Sequence, residues 1–294
     1  MKAFTVSSFA VILWQYIIEP TRWSYCDLQE PMLSPVPVRS PFPRHRVSRI
    51  IVVLPAYNEE ANIGNLLRRI FESLTDEHLG FSIIVVDDGS SDRTHQILEE
   101  YGRDFPLIIH RHAENEGLGA TIRDGLRQAA AVASERDIVI TMDADESHTP
   151  GLMIRMIRMI REGYDVVIAS RYQPGSRVYG LSMNRRIVSR VASLLMRVLF
   201  PTPGVSDYTC GYRAYRAEAL QQAYSQYGDT LVDQDGFQCM VDILLKLRKL
   251  PLIFGEVPLI LRYDLKRGQS KMRMMKTSMN TLRLLWRRKT GKHG

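Results

Sequence analysis

The sequence predicts an α/β protein built on a mainly parallel sheet with helices on both faces. Short β-branched apolar runs alternate with amphipathic segments from residue 49 onward, the signature of successive βα units. Polar clusters recur directly after those runs, at the strand ends where open α/β sheets bind ligands. Composition agrees: 294 residues, 45% hydrophobic and 24% charged, can bury a large core without staples and exclude a disordered or fibrous chain.

Ile50-Ile51-Val52-Val53-Leu54 is a β-branched run of the kind buried parallel strands use, and Pro55, which lacks a ladder N–H, is expected to end it. Asn58 to Leu74 reads as a helix with Ile63, Leu66, Leu67 and Ile70 on one face. Ser82 to Val86 is the next strand, closed by Asp87-Asp88-Gly89-Ser90; a helix over Asp92 to Tyr101 and a strand over Leu107 to His110 follow. The helix after Gly119 carries Ile122, Leu126 and Ala129 to Ala131. Strand Asp137 to Met142 ends at Asp143, and strand Val166-Val167-Ile168 leads into Ser170-Arg171-Tyr172. Asn184 to Phe200 is amphipathic, and Asp207 to Arg213 reads as a polar, aromatic turn.

Three segments are expected. Residues 1–48 hold six of the fourteen prolines and little periodicity, and read as an N-terminal arm; 49–265 form the domain; 266–294 form a basic amphipathic C-terminal segment. Residues 262–294 carry eleven Lys or Arg against one acid, so the net charge of +7 leaves the rest of the chain at −3. Met272, Met275, Met279, Leu282 and Trp286 recur there at helical spacing beside the cations, a pattern suited to C-terminal amphipathic helices on a membrane surface or to a last helix packed on the body. No nucleic-acid reader motif accompanies the charge, so nucleic acid is not an expected partner. Three cysteines with no CxxC pair fit neither a disulfide framework nor a zinc ribbon, and fit a reducing compartment. No run approaches the roughly 18 apolar residues of a membrane span. The stretch Phe9 to Ile18 lacks a small-x-small cleavage site. The expected location is cytoplasmic, peripheral at the inner face of the membrane.

Asp143-Ala144-Asp145 follows a buried strand, and two carboxylates so spaced can share one hard divalent cation, Mg²⁺ or Mn²⁺, alongside substrate phosphates. A solvated turn is the bland alternative. Asp87 and Asp88 could accept from a base or ribose, whereas capping suffices for Asp92. Tyr57 offers an aromatic face and Glu59 a ribose partner. Gly117 and Gly119 would allow close backbone approach to a ligand, although Ile122 stands where a dinucleotide fingerprint needs its third glycine. No GxxxxGK[ST], HExxH or GxSxG occurs, which excludes P-loop, zincin and common hydrolase chemistry. Arg171, Arg185, Arg186, Arg190 and Arg213 cluster at polar junctions and together favour a phosphate-bearing second substrate.

In this ordered set the chain resembles the family 2 glycosyltransferases of GT-A fold, most closely the dolichol-phosphate and polyprenyl-phosphate mannosyltransferases. The resemblance runs from Ile50 to Lys271 through Leu54-Pro55-Ala56-Tyr57-Asn58-Glu59, Val86 to Ser90, Asn115 to Ala120, Asp143 to Asp145, Gly211-Tyr212-Arg213, Gly255-Glu256-Val257-Pro258 and Gly268-Gln269-Ser270-Lys271. It implies a metal-dependent inverting transfer of mannose or glucose from a GDP- or UDP-hexose to a polyprenyl or dolichyl phosphate at a membrane surface. Pro55, Tyr57, Glu59 and Asp87 would hold the donor nucleoside, with Asp88, Gly117 and Gly119 completing that pocket. Asp143 and Asp145 would hold the metal on the diphosphate; Arg171, Arg185, Ser189 and Lys271 would grip the acceptor phosphate. Asp145, Arg171 and Arg213 would be the catalytic set. Two positions depart from the pattern: Ser147 stands where relatives often have Gln, and Cys239-Met240 follows Phe237-Gln238 where relatives often carry Glu.

A phosphate monoester is largely dianionic at neutral pH and needs no general base, whereas a hydroxyl acceptor does. Asp233 and Asp235 are the candidates for that second role. A hydroxyl-directed glycosyltransferase and a catalytically silent binding scaffold are therefore the rival expectations.

Overall fold

The computed structural model describes residues 48–180 and 183–262, with backbone only for 183–188. The N-terminal arm to residue 47, the basic C-terminal segment and Lys271 lie outside the described residues. The body carries strands β1 (Ile50–Ala56), β2 (Phe81–Asp87), β3 (Leu107–Arg111), β4 (Ile138–Thr141), β5 (Val166–Ser170), β6 (Arg177–Tyr179), β7 (Arg213–Arg216), β8 (Phe254–Pro258) and β9 (Ile260–Arg262). Its helices are α1 (Ile63–Asp76), α2 (Thr94–Tyr101), α3 (Leu118–Val132), α4 (Leu152–Arg161), α5 (Met183–Leu199), α6 (Ala217–Tyr227) and α7 (Gln238–Leu247).

Seven strands form one sheet in the order β3-β2-β1-β4-β7-β5-β8; β6 and β9 pair separately. All neighbours in the large sheet are parallel except β7, which is antiparallel to both β4 and β5. Residues 50–54 and 83–86 are completely buried, as expected of strands covered on both faces. Right-handed crossovers step β1 to β2 to β3 in one direction through α1 and α2. The chain then returns over the opposite face through α3 to place β4 beside β1. The reversal makes the crevice beyond the C-terminal ends of β1 and β4 a topological switch point, where ligands bind in such sheets.

Several expected boundaries shift, each for a local reason. Pro55 does not end β1: the strand continues to Ala56, because β4 stops pairing at Val53 and the chain there needs no donor on that side. The expected helix from Asn58 starts at Ile63, since Asn58 takes the left-handed conformation (φ 50°) and residues 58–62 form a laced turn. Arg213 to Arg216 is a strand rather than the end of a turn. The Asp207 turn delivers the chain antiparallel into the gap between β4 and β5.

Candidate active site

The crevice between β1 and β4 is walled by loops that hold one another. Asn58 N–H donates to Ser90 Oγ (2.9 Å), Ser91 N–H to Asn58 Oδ1 (2.9 Å), and Glu59 N–H to Thr94 Oγ1 (2.8 Å). Asn62 Nδ2 donates to Glu59 Oε2 (2.7 Å), fixing that carboxylate, while Tyr57 stands half-buried above Ala56. Pro55, Tyr57, Glu59 and Asp87 thus gather on neighbouring strand ends, Ala56 being in register with Asp87. Asp87 is fully buried; its Oδ1 accepts from Ser90 N–H (3.0 Å). Its Oδ2 faces His95 Nδ1 (3.3 Å) and Arg111 Nε (3.6 Å), yet meets no aligned hydrogen-bond donor among the described residues.

Asp88 does different work from the expected one. Its Oδ1 accepts from His112 Nδ1 (2.8 Å) and Glu116 N–H (2.9 Å), its Oδ2 from Gly117 N–H (2.9 Å), so the carboxylate is spent inside the protein. Gly117 and Gly119, expected to let a ligand approach, lie against the chain itself. Gly119 N–H donates to Asp235 O (2.9 Å), and a Cβ on Gly119 would fall 1.8 Å from Gln234 O. What approaches these glycines is the chain itself, the 233–236 loop, and Gly117 has a φ of 95° that few other residues adopt.

At the end of β4, Asp143 and Asp145 are half-exposed around buried Ala144. Ser147 donates to Asp145 Oδ1 through both N–H (3.1 Å) and Oγ (2.6 Å), so the residue that departs from the family pattern orients the second aspartate. His148 lies 4.0 Å from Asp143 Oδ2 through Nε2 and stacks on Tyr212 (ring centroids 5.0 Å apart). Gly211 closes the rim beside Asp143, where a Cβ would stand 3.5 Å from Oδ1. Two hard oxygen donors side by side at a switch point, partly open to solvent, fit Mg²⁺ or Mn²⁺.

The arginines separate sharply. Arg213 is wholly buried and donates to the carbonyls of Cys210 (2.8 Å), Tyr208 (2.9 Å) and Met240 (2.8 Å). It therefore pins the turn to α7, and the catalytic role expected from the sequence would require one of these bonds to be given up. Arg171 makes a two-pronged contact with Asp207 (both 2.7 Å), a third bond to Thr209 Oγ1, and packs on the Tyr172 ring (5.6 Å to centroid). Burial opposes both charges of this pair, but each ion stabilises the other, holding Asp207 below the usual carboxylate range and Arg171 well above the usual guanidinium one. Tyr172 Oη meets Ser189 Oγ (2.7 Å) and Ser189 O (2.9 Å), so Ser189 and Arg171 share one neighbourhood. Arg185 sits on the same helix one turn earlier. Sequence reasoning assigned no role to Asp207 or Glu256. Glu256 accepts from Ser206 N–H and Asp207 N–H (both 2.6 Å) and from Gln173 Nε2 (2.9 Å), fixing the turn that aims Arg171. An acid inside the short apolar run of β8 was the one available signal.

The expected bases also differ. Asp233 is pulled down to about 2: burial opposes the charge, and hydrogen bonds with Asp242 and Gln234 together with the Lys246 ammonium (3.2 Å) outweigh it. Asp235 is exposed, and its backbone carbonyl anchors Gly119.

Fold and rim define a class. Residues 51–223 match the family described as Glycosyl transferase family 2, and the chain belongs to it, a glycosyltransferase by family. Over 240 residues it is 30% identical to the dolichol-phosphate mannosyltransferase of Pyrococcus furiosus; the match covers 81% of this chain and 63% of that protein's length. It is 33% identical over 201 residues to the polyprenol monophosphomannose synthase of Mycolicibacterium smegmatis, covering 66% and 70% of the two. Among solved structures, glucosyl-3-phosphoglycerate synthase from Mycobacterium tuberculosis in complex with Mn²⁺, uridine diphosphate and glucosyl-3-phosphoglycerate is similar at a TM-score of 0.57 and 22% identity, over 84% of this chain and 81% of that one. That likeness establishes the fold, GT-A-like as expected.

Proposed function

We propose that the protein transfers a hexose from a nucleotide sugar to a polyprenyl-type lipid phosphate, with inversion. The observation that carries the reading is the half-exposed Asp143/Asp145 pair at the end of β4, the strand beside β1, whose own end, in register with the Asp87 end of β2, leads into Tyr57 and Glu59. Asp87 Oδ2, held between His95 and Arg111, sets the charge of the strand end beside Tyr57 and Glu59. Asp143 and Asp145 would hold a divalent cation, whose bound charge would offset that building on the leaving diphosphate. Ser147 keeps Asp145 oriented for that task.

The acceptor side is supported separately. Arg171, braced by Asp207, offers a fixed cation, and Tyr172 ties it to the Ser189 end of α5. Along α5, Val191, Leu194, Leu195 and Val198 recur at helical spacing and stay exposed, Val198 by 70%, with Arg190 and Arg197 exposed among them. An apolar stripe with flanking cations beside a phosphate-binding arginine suits a lipid phosphate entering from a membrane surface. Among the described residues no helix is long and apolar enough to cross a membrane; the reading sets the enzyme against a cytoplasmic membrane face through this exposed stripe.

The experiment is a panel of radiolabelled GDP- and UDP-hexoses incubated with Mg²⁺ or Mn²⁺ and either polyprenyl phosphate, a soluble phosphorylated acceptor such as 3-phosphoglycerate, or no acceptor. Organic-extractable label with polyprenyl phosphate is the expected result. Label only in the aqueous product with the soluble acceptor would overturn the lipid assignment, and no transfer in any arm would overturn the activity.

A further inference from the structure

A second cluster of metal-ligating side chains lies away from the Asp143/Asp145 rim, three strands along the sheet at its β3 edge. His110 is the penultimate residue of β3 and His112 directly follows the strand, two residues apart on an extended chain and so on the same face. Asp124 projects from α3, and one ligand atom from each of the three lies within 4.8 Å of the others. His112 is buried, and Asp88 Oδ1 takes its Nδ1 at 2.8 Å, leaving Nε2 turned toward Asp124 Oδ2 at 3.2 Å. Arg123 grips both oxygens of Asp124, Nε on Oδ1 (3.1 Å) and a terminal nitrogen on Oδ2 (3.4 Å), and Oδ2 also faces His112, so a cation bound there would displace the weaker guanidinium contact. The His110 ring stands edge-on to His112 with centroids 5.3 Å apart.

We infer that His110, His112 and Asp124 form a binding site for a zinc-class divalent cation. A buried carboxylate on one imidazole nitrogen, with the other nitrogen presented to a second ligand, is the outer-shell arrangement that orients metal-binding histidines. Two imidazoles and one carboxylate suit Zn²⁺ and its borderline neighbours over the hard cations that fit the Asp143/Asp145 rim. The separation of 3.2 Å between His112 Nε2 and Asp124 Oδ2 is close to that of two ligands on one tetrahedral ion with bonds of about 2.0–2.1 Å. Three protein ligands leave a fourth position for water. The ion would take the Nε2 lone pair and release any proton held there to solvent. Its consequence is structural: it would clip the end of β3 to α3 and stiffen Asp88, which already fastens Glu116 and Gly117 at the start of α3.

The test uses the full chain, freed of metal with chelator and held in excess Mg²⁺ to occupy the hard-oxygen rim. Zn²⁺ is then titrated by calorimetry, and Co²⁺ by its visible absorption as a probe of coordination geometry. Wild type and Asp145→Ala should both bind one Zn²⁺ with a tetrahedral-type Co²⁺ spectrum and a raised melting temperature. His110→Ala, which alters an exposed side chain, should keep the fold and weaken that binding at least about tenfold. No Zn²⁺ uptake by wild type, or equal affinity in His110→Ala, would overturn the site. Loss of uptake in Asp145→Ala with retention in His110→Ala would assign the zinc to the rim instead.

Discussion

The loops after β2 and β4 both open on closely spaced aspartates, and the structure uses them in opposite ways. Asp88 is buried and gives both oxygens to three donors of the next loop, whereas Asp143 and Asp145 remain half-exposed at the rim. Position in the sheet decides the difference. The β2 end is covered by the 112–117 loop, which must satisfy its own N–H groups and recruits Asp88 to do so. The β4 end lies at the switch point, where both carboxylates stay partly exposed among the described residues. One acidic strand end builds the pocket wall and the other presents ligands to it.

The comparison breaks most sharply at Asp88. Asp88→Ala removes the partner of His112 and of two backbone N–H groups, a loss of about 4 kcal/mol by analogy with broken buried ion pairs. Calorimetry should show the melting temperature down by about 12 °C, at ~3 °C per kcal/mol for a body of this size. A fall below 3 °C would mean that Asp88 is a presenting residue after all. Asp145→Ala should do the reverse. It removes two bonds from Ser147 at a half-exposed site, about 1 kcal/mol, while kcat/KM for hexosyl transfer falls at least ~100-fold, or ~2.7 kcal/mol of barrier. Full activity in Asp145→Ala would refute the metal assignment.

Gly119→Ala tests the same distinction at the glycine pair. Its Cβ would meet Gln234 O at 1.8 Å, so the 233–236 loop must move, at a cost of about 2 kcal/mol typical of overpacking. The expected outcome is a melting temperature lower by about 6 °C. An unchanged melting temperature with weakened nucleotide binding would restore the ligand reading of this loop.

What was legible in the sequence follows from how local each feature is. The apolar runs of β1, β2, β4 and β5 and the spacing of Ile63, Leu66, Leu67 and Ile70 are one-dimensional patterns, and the structure has each element within a few residues. That Asp143 and Asp145 fall at a strand end was legible because a strand end is itself a local feature. Arg213 and Asp88 were not, because their roles depend on which chain segment covers them: Arg213 reaches Met240, 27 residues on, and Asp88 reaches Gly117, 29 residues on. Strand β7 was missed because Arg-Ala-Tyr-Arg has neither a β-branched run nor clear alternation. Its place is fixed by the gap between β4 and β5 rather than by its own propensity.

The smallest effect, and the one that reads both kinds of aspartate at once, concerns two thiols. Cys210 and Cys239 are buried, and burial pushes each up to about 12. At pH 8 they hold roughly a thousandfold less thiolate than an ordinary thiol of pKa ~8.5. In a Cys26→Ser background, Ellman's reagent should therefore find no rapidly reacting thiol in the native protein. The same shift has a sign for stability: the folded thiols keep protons that the unfolded ones lose, so their contribution is full below about pH 8.5 and fades as pH rises toward 12. Labelling must then wait for unfolding, and its rate tracks the open population. Asp88→Ala, at about 4 kcal/mol, should accelerate it by several hundredfold or more, and Asp145→Ala by less than ~10-fold. Equal acceleration by the two variants would erase the distinction between the aspartates that build and those that present.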